Sequence, residues 1–383
     1  MNKAKCKKTE IDGMLKNWQK SLVGEHIELA YGDGLPERTR KKGPIPVFGS
    51  NGVTGFHDKA LVKGPGIIIG RKGTVGQVVF SKADFWPIDT TYYVKFKGDD
   101  DIVFWYYFLS TLGLNQMNSH SAVPGLNRDN VYEITALLPL LLEQRAIAKI
   151  LSDLDEKIEL SRQMNKTLES IAQAIFKRWF VDEDKNSTTG KLGDILEVVE
   201  SGSRPKGGID PNLREGIPSI GAENINGIGF YNYSKTKFIS SEFFNIMNRG
   251  VIEDYDVLVY KDGAYIGRKS MFGKGFPYEQ CCVNEHVFIL RSNSRANQFF
   301  LYFLLNQKEL KQLNTNSAQP GLNQESMRSL HVVVPDKIKV GRFAEAVKPL
   351  IDEIFFNCNQ ARVLSQIRDS LLPRLMSGKI RVS

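Results

Sequence analysis

The side chains of this sequence best placed for chemistry are cations flanked by glycine and proline. One group comprises Arg38, Arg40, Lys41 and Lys42 in "PERTRKKGP", Ser50 and Asn51 in "FGSNGVTG", and Arg71 and Lys72 in "GRKGTVG". The other comprises Arg204 and Lys206 in "SGSRPKGG", Asn224 in "GAENINGIG", Lys235 and Lys237 in "YSKTK", and Arg268 and Lys269 in "YIGRKS". The turn residues put these groups on loops rather than along a helix face. Arg and Lys on loops suit phosphate oxygens, while Asn and Ser suit base edges in a groove. They are the candidate nucleic-acid contacts, with plain solvated loops as the alternative for any one cluster.

Catalytic groups do not assemble in this way. His26, His57, His120, His286 and His331 are scattered, with no i,i+4 pair and no acidic triad context. "GRKGTVG" lacks the Gly-Lys-Ser/Thr ending of a phosphate-binding loop. The Asn-Pro-Pro-aromatic tetrapeptide of amino-methyltransferases is missing, and "DEKIE" (155–159) falls in a helical repeat where alternating charge marks a solvated face. Cys6, Cys281, Cys282 and Cys358 show no metal-binding spacing. Neither a catalytic centre nor a metal site is expected.

The bulk numbers suit two domains and are compatible with a polyanionic partner. The chain has 383 residues, 51 Lys and Arg against 43 Asp and Glu, a moderately basic balance with a formal charge of +8 and a pI near 9.1. The start is basic without an apolar run behind it, and "FWYYFLSTLGL" and "ITALLPLLL" fall short of the roughly 18–20 residues that span a bilayer. A reduced, cytoplasmic protein without membrane association is expected.

What must position the loops is a duplication. "SAVPGLN" (121–127) returns as "SAQPGLN" (317–323), an offset of 196 residues. At that offset "FWYYFL" (104–109) meets "FLYFLL" (300–305), and the match runs without a gap to Arg178 and Arg374. Upstream the two copies keep a skeleton, "GIIIGRKGTVG" (66–76) against "DVLVYKDGAYIG" (256–267), but not their side chains. The backs of the halves are nearly in register while the fronts have diverged.

The back of each half reads as one long helix. Ile147, Leu154, Ser161, Leu168 and Ile175 recur at sevens, and Ile150, Lys157, Met164, Ile171 and Arg178 form a second series three residues on. The other copy gives Phe343, Leu350, Asn357, Leu364 and Leu371, with Ala346, Glu353, Gln360, Ile367 and Arg374. This is an a/d heptad. Helices of this size, roughly 60 Å long, need a partner, and each other is the obvious one, in an antiparallel pair. Ser161 and Asn357, at the midpoints, are expected to oppose each other and fix register; a frayed coil with both in solvent is the alternative.

The front of each half, with short β-branched and aromatic runs between glycine turns and then an aromatic helix, reads as a compact α+β domain. The expected fold class is α+β, with two tandem domains separated by two long helices packed as an antiparallel coiled coil in a pseudo-two-fold internal repeat. The boundaries are 1–140 for the first α+β domain, 141–180 for the first helix, 181–193 for a linker, 194–336 for the second domain, and 337–383 for the second helix and tail.

Two divergent basic domains on one repeated helical frame resemble the specificity subunit of type I restriction–modification enzymes. "LPLLLEQRAIAKILSDLDEKIELSRQMNKTLESI" (138–171) is similar to that family's central conserved region, and "LLPRLMSGKI" (371–380) to its ending; "LVGEHIELAYG" and "KLGDILEVVESG" resemble the openings of its target-recognition domains. The resemblance implies a non-catalytic reader of double-stranded DNA, each domain contacting one half of a split sequence. It further implies two methyltransferase subunits using S-adenosylmethionine and two restriction–motor subunits, with ATP and Mg belonging to the partners and no cofactor to this chain. Pro373, standing where the first copy has Lys177, is a departure expected to interrupt the second helix. A bivalent protein-binding scaffold with incidental basic loops is the competing class.

Overall fold

A computed structural model describes residues 18–117, 125–182, 188–313, 321–334 and 336–382. The chain forms two compact units that do not follow the halves of the sequence: one runs to Glu156 and takes in Leu364 onward, the other spans Lys157–Val363.

The first unit is built on a four-stranded antiparallel sheet in the order Ile27–Tyr31, Thr91–Phe96, Gly66–Gly70, Val78–Ser81. "GIIIG" is an inner strand buried on both faces, which is why it reads as an unbroken β-branched run. A smaller sheet pairs Ile45–Gly49 antiparallel with Gly52–His57 and parallel with Trp86–Pro87. The aromatic helix Ile102–Thr111 starts at Asp101, whose carboxylate accepts from the backbone N–H of Val103 and Phe104 at 3.0 and 2.8 Å. Phe104 and Trp105 are fully buried in the core of this unit.

The second unit repeats this plan strand for strand. Its larger sheet runs Leu196–Ser201, Val287–Ser292, Val257–Tyr260, Lys269–Met271. Its smaller sheet again joins one antiparallel neighbour, Lys237–Ile239, and one parallel neighbour, Cys282–Val283, to a central strand, Ile217–Ile220. The aromatic helix Gln298–Asn306 is capped by the side chain of Asn297. Side chains of the fronts diverged; hydrogen-bonded topology did not.

The repeated heptapeptide has a definite task in its described part. The Leu126 N–H donates to Arg71 O at 2.9 Å, and Gly125 bridges to Lys72. In the other unit the Leu322 N–H donates to Lys261 O at 2.8 Å, and Gly321 bridges to Asp262. Both leucine side chains are buried, and Asn127 and Asn323 each cap the short helix that follows by accepting from the N–H of Asp129 and Ser326. The motif pins the chain to the turn after the "GIIIG" and "DVLVY" strands, then redirects it. The motif is thus a fixed joint; Ser121–Pro124 and Ser317–Pro320 lie outside the described residues. A short strand follows, Thr135–Leu138 against Gln19–Leu22 in one unit and His331–Val334 against Thr188–Lys191 in the other, and leads into a long helix.

The long helices are Leu141–Lys177, continued by a π-helical turn over Arg178–Asp182, and Lys337–Met376. Pro373 does not interrupt the second: lying in the last turn, it forfeits one N–H bond, and the helix continues to Met376. Pairing is antiparallel within each unit. In the first, Asp155 bonds Arg368 and Glu143 bonds Arg381; in the second, Asn165 meets Asn357 while Phe176 meets Phe343.

The seam is rotated from its expected phase. Ile147, Leu154, Leu168, Ile175, Phe343, Leu350, Leu364 and Leu371 are buried or half-buried as expected, but the second series lies four residues from the first rather than three. It comprises Leu151, Ile158, Asn165 and Ala172, with Val347, Ile354, Ala361, Arg368 and Leu375 in the other helix, while Met164, Ile171 and Ile367 are exposed and Ile150 only half-buried. A helix turns about 100° per residue, so i+3 and i+4 fall roughly 60° and 40° to either side of i. Apolar residues occupy both flanks, and the partner decides which is covered. Ser161 and Asn357 are buried, 2% and 4% exposed, so the coil does not fray at its midpoint. They do not oppose each other, however. Asn357 donates to Asn165 Oδ1 at 3.0 Å, one turn from Ser161, whose hydroxyl donates back to Lys157 O.

Truncating either pinned leucine, Leu126→Ala or Leu322→Ala, should lower the unfolding free energy of the full chain by about 2–5 kcal/mol. Asn127→Ala or Asn323→Ala should cost about 1 kcal/mol. Urea unfolding measures both, and a wild-type midpoint for the leucine variants would contradict the pin.

Candidate nucleic-acid interface

In the first unit three of the candidates meet at one turn, with a fourth beside them in sequence. The Thr90 carbonyl accepts from the backbone N–H of Arg71 and Lys72 at 2.9 and 3.1 Å and from the Ser50 hydroxyl at 2.6 Å. The Arg71 guanidinium donates to Asp89 O at 2.6 and 3.2 Å and lies 5.9 Å from the centre of the Tyr92 ring. Asn51 is exposed at the tip of the hairpin joining Ile45–Gly49 to Gly52–His57. One face therefore carries Ser50, Asn51, Arg71 and Lys72.

The "PERTRKK" cluster splits by role. Arg40 turns inward, donating to Leu35 O and Thr54 O at 3.2 and 2.9 Å, and so braces its own loop. Arg38, in the single turn Glu37–Thr39, and Lys41 and Lys42 beyond it are exposed. The Lys41 backbone N–H is fixed by His57 Nδ1 at 3.0 Å, leaving the two ammonium groups on an anchored segment.

In the second unit Arg204, Lys235 and Lys237 line an open cleft of about 660 Å3, together with Arg214, Glu223, Glu285 and His286. Arg204 pairs with Glu285 at 3.3 Å and Lys237 with Glu223 at 2.9 Å. Lys206 is exposed beside a turn, and Arg268 is exposed with its guanidinium 4.0 Å from the Tyr265 ring centre.

Two candidates of this unit serve the fold instead. Asn224 is 1% exposed, and its side-chain oxygen accepts from the Asn232 N–H at 2.9 Å, holding a loop from beneath. The Lys269 ammonium donates to Lys308 O, and burial pushes its pKa down. Both lie in glycine-bearing segments, as the exposed cations Lys42 and Arg268 do; only the depth of the turn separates them.

Two further candidates were missed. Arg214 was passed over because "NLREG" carries a single cation. Lys261 lies 5.1 Å from the centre of the Phe288 ring and occupies, in the second unit, the place of Arg71 over Tyr92. The alignment of "IIIGRKG" with "VLVYKDG" places Arg71 opposite Lys261 and was the signal for this one. Among the described residues no group of three His, Cys, Asp or Glu side chains is arranged to hold a metal ion, and no helix is long and apolar enough to cross a membrane.

The family model described as "Type I restriction modification DNA specificity domain" matches residues 16–170 and again 184–359. The chain belongs to this family. The duplicated domain makes it the sequence-reading subunit of a type I restriction–modification system. It is similar to the specificity subunit of the type I restriction enzyme MjaIX of Methanocaldococcus jannaschii, 26% identical over 98% of this chain and 96% of the relative. It is also similar to the HindI specificity subunit of Haemophilus influenzae, 25% identical over 67% of this chain and 71% of that one. The crystal structure of a type I S subunit from M. genitalium superimposes with a TM-score of 0.65 at 19% identity, covering 94% of this chain and 96% of that one, and so shares the fold.

Reversing charge at Lys41 and Lys42 should weaken binding to all duplexes alike and reduce the slope of log affinity against log salt by up to about two units. Lys269→Gln should leave that slope unchanged. Titrations of the assembled complex at several salt concentrations test both, and equal affinity of the charge-reversed variant at low salt would remove this loop from the interface.

Proposed function

We propose that each unit reads one half of a split DNA sequence, that the long helices set the gap between the halves, and that the chain performs no chemistry itself. The observation carrying this reading is the pair of sheets with the same strand order and pairing bearing different loop side chains, Arg71 and Ser50 on one, Arg204 and Lys235 on the other. Reading two sequences needs two surfaces; spacing them needs one repeated frame.

Catalysis then belongs to partners: two methyltransferase subunits supplying S-adenosylmethionine for adenine methylation, and two restriction–motor subunits using ATP and Mg. What supports a two-fold partner is an apolar face on each helix that the helical pair leaves uncovered. Leu160, Met164 and Ile171 of the first helix are 52%, 40% and 44% exposed, and Phe356, Val363 and Ile367 of the second 59%, 51% and 42%. Leu160 and Phe356, and likewise Ile171 and Ile367, are equivalents in the duplication. Two equivalent stripes suit two copies of one partner, through packing of the kind that covers a helix face with another helix.

Leu160→Asp should remove one methyltransferase copy, and the pair Leu160→Asp with Phe356→Asp both, read as complex mass; retention of two copies by the double variant overturns the docking assignment. A protein scaffold without DNA specificity would show binding nearly independent of salt, against the steep loss expected from phosphate contacts.

Inserting a heptad after Lys166 together with one after Phe356, level with it in the antiparallel pair, preserves the register while adding about 10 Å of helix. At roughly 3.4 Å per base pair the gap should lengthen by one to three, with the half-sites unchanged. Methylome sequencing decides: an unchanged gap would mean that the helices do not measure distance.

A further inference from the structure

Tyr31, at the end of the Ile27–Tyr31 strand, is 51% exposed, with its ring 5.1 Å from that of its cross-strand partner Tyr92. Two guanidinium groups converge on it: Arg71 lies 5.2 Å from the ring centre and Arg128 5.3 Å. These come from opposite ends of the pinned joint, since Arg71 offers the carbonyl that Leu126 grips and Arg128 follows the capping Asn127. A tyrosine ring attracts each cation, but two cations held on one ring repel each other.

Among the described residues the only carboxylate within 4.0 Å of either guanidinium is Asp129, at 4.0 Å from Arg128. The cleft of the other unit differs: there Glu285 and Glu223 meet Arg204 and Lys237 at 3.3 and 2.9 Å. The first unit's pair therefore presents excess positive charge, ordered by a ring, at a half-exposed place. An oxyanion that accepts from both forks relieves the repulsion and satisfies the planar donors.

The second unit has no such pair. Ser201 stands where Tyr31 does, paired across the strand with Phe288 as Tyr31 is with Tyr92, and Gln324 follows Asn323 as Arg128 follows Asn127. Only the cation of Arg71 keeps a counterpart, Lys261.

We propose that Arg71 and Arg128, ordered by Tyr31, form a clamp for one backbone phosphate of the DNA strand read by the first unit, and that the second unit grips its half-site without one. This rests on the DNA-reading function proposed above. Tyr31 is a positioning residue; the two arginines make the contact. The two half-sites are thus held unequally.

The test uses the complex of the full chain with its methyltransferase subunits and a duplex carrying the sequence it methylates. Substitutions to the second unit's own residues, Arg128→Gln and Tyr31→Ser, sit at a half-buried and an exposed position. Replacing both arginines, Arg71→Gln with Arg128→Gln, should lower the salt slope by about 0.9, the contribution of one phosphate, and Arg128→Gln alone by part of that. Tyr31→Ser should weaken binding several-fold, and Tyr31→Phe, which keeps the ring, should restore most of it. The methylated sequence should not change, because a phosphate carries no base identity. A salt slope unchanged in Arg128→Gln, while the wild-type complex binds steeply and specifically, overturns the clamp and leaves the DNA reading intact. A wild-type complex without salt dependence overturns the DNA reading itself. Competition by inorganic phosphate beyond that of chloride at equal ionic strength, lost in Arg128→Gln while the DNA slope is not, would assign the site to a free anion and also overturn the proposal.

Discussion

The structure depends on one constraint: an amphipathic helix of 37 or 40 residues cannot leave its apolar stripe in water. Each fully buried Leu, Ile or Phe contributes about 1.5–3 kcal/mol relative to exposure, so a stripe of this length dominates whatever else the helix does. The stripe is covered by the other copy, running antiparallel. Ile147, Ala148 and Leu151 share a core with Leu375 and Met376, and Ala172 and Phe176 share one with Phe343 and Val347. Each compact unit is therefore completed by helix from the other half of the sequence. The duplication is not two independent domains in a row; neither half alone would cover its own helix.

Polar residues in that seam follow from the same constraint. Burying Asn357 is tolerable because Asn165 accepts from its side chain and the Asn165 amide reaches the Cys358 sulfur at 3.2 Å. Asp155 is held by Arg368 and by the Tyr107 hydroxyl, which ties the aromatic helix of the first unit to both long helices. Such groups add little net stability against an apolar alternative, but they penalise any sliding that separates them. They favour one register among the several that a heptad would permit.

With the frame fixed, the recognition surfaces are free to differ because the joint below them does not. Leu126 and Leu322 grip the same backbone carbonyl position in each sheet, and Asn127 and Asn323 start the same short helix. Everything above that joint can change charge: carboxylate-paired cations line the cleft of one unit, while Arg71 and Arg128 gather around Tyr31 in the other. The same backbone thus presents two electrostatic surfaces, as reading two unlike half-sites requires.

Much of this was legible in the residues alone. The offset of 196, the long helices, the aromatic helices and the loop placement of the cations are carried by spacing and by turn residues, which act locally and survive in any context. What sequence could not decide was every choice between two locally equivalent options. Leu151 and Ile150 are both apolar and both adjoin the heptad line; only the facing helix selects Leu151. Lys269 and Arg268 are neighbours after one glycine, yet one is half-buried and bonded to Lys308 O while the other is exposed over Tyr265. Tyr31 and Arg128 lie nearly a hundred residues apart and carry no motif; the cross-strand pairing of Tyr31 with Tyr92 and the pinning of Leu126 bring them together. Local periodicity determines which elements exist, because it depends on backbone geometry within a few residues. Which face of an element is covered, and which distant side chains meet, depends on contacts that form only when the whole chain has folded.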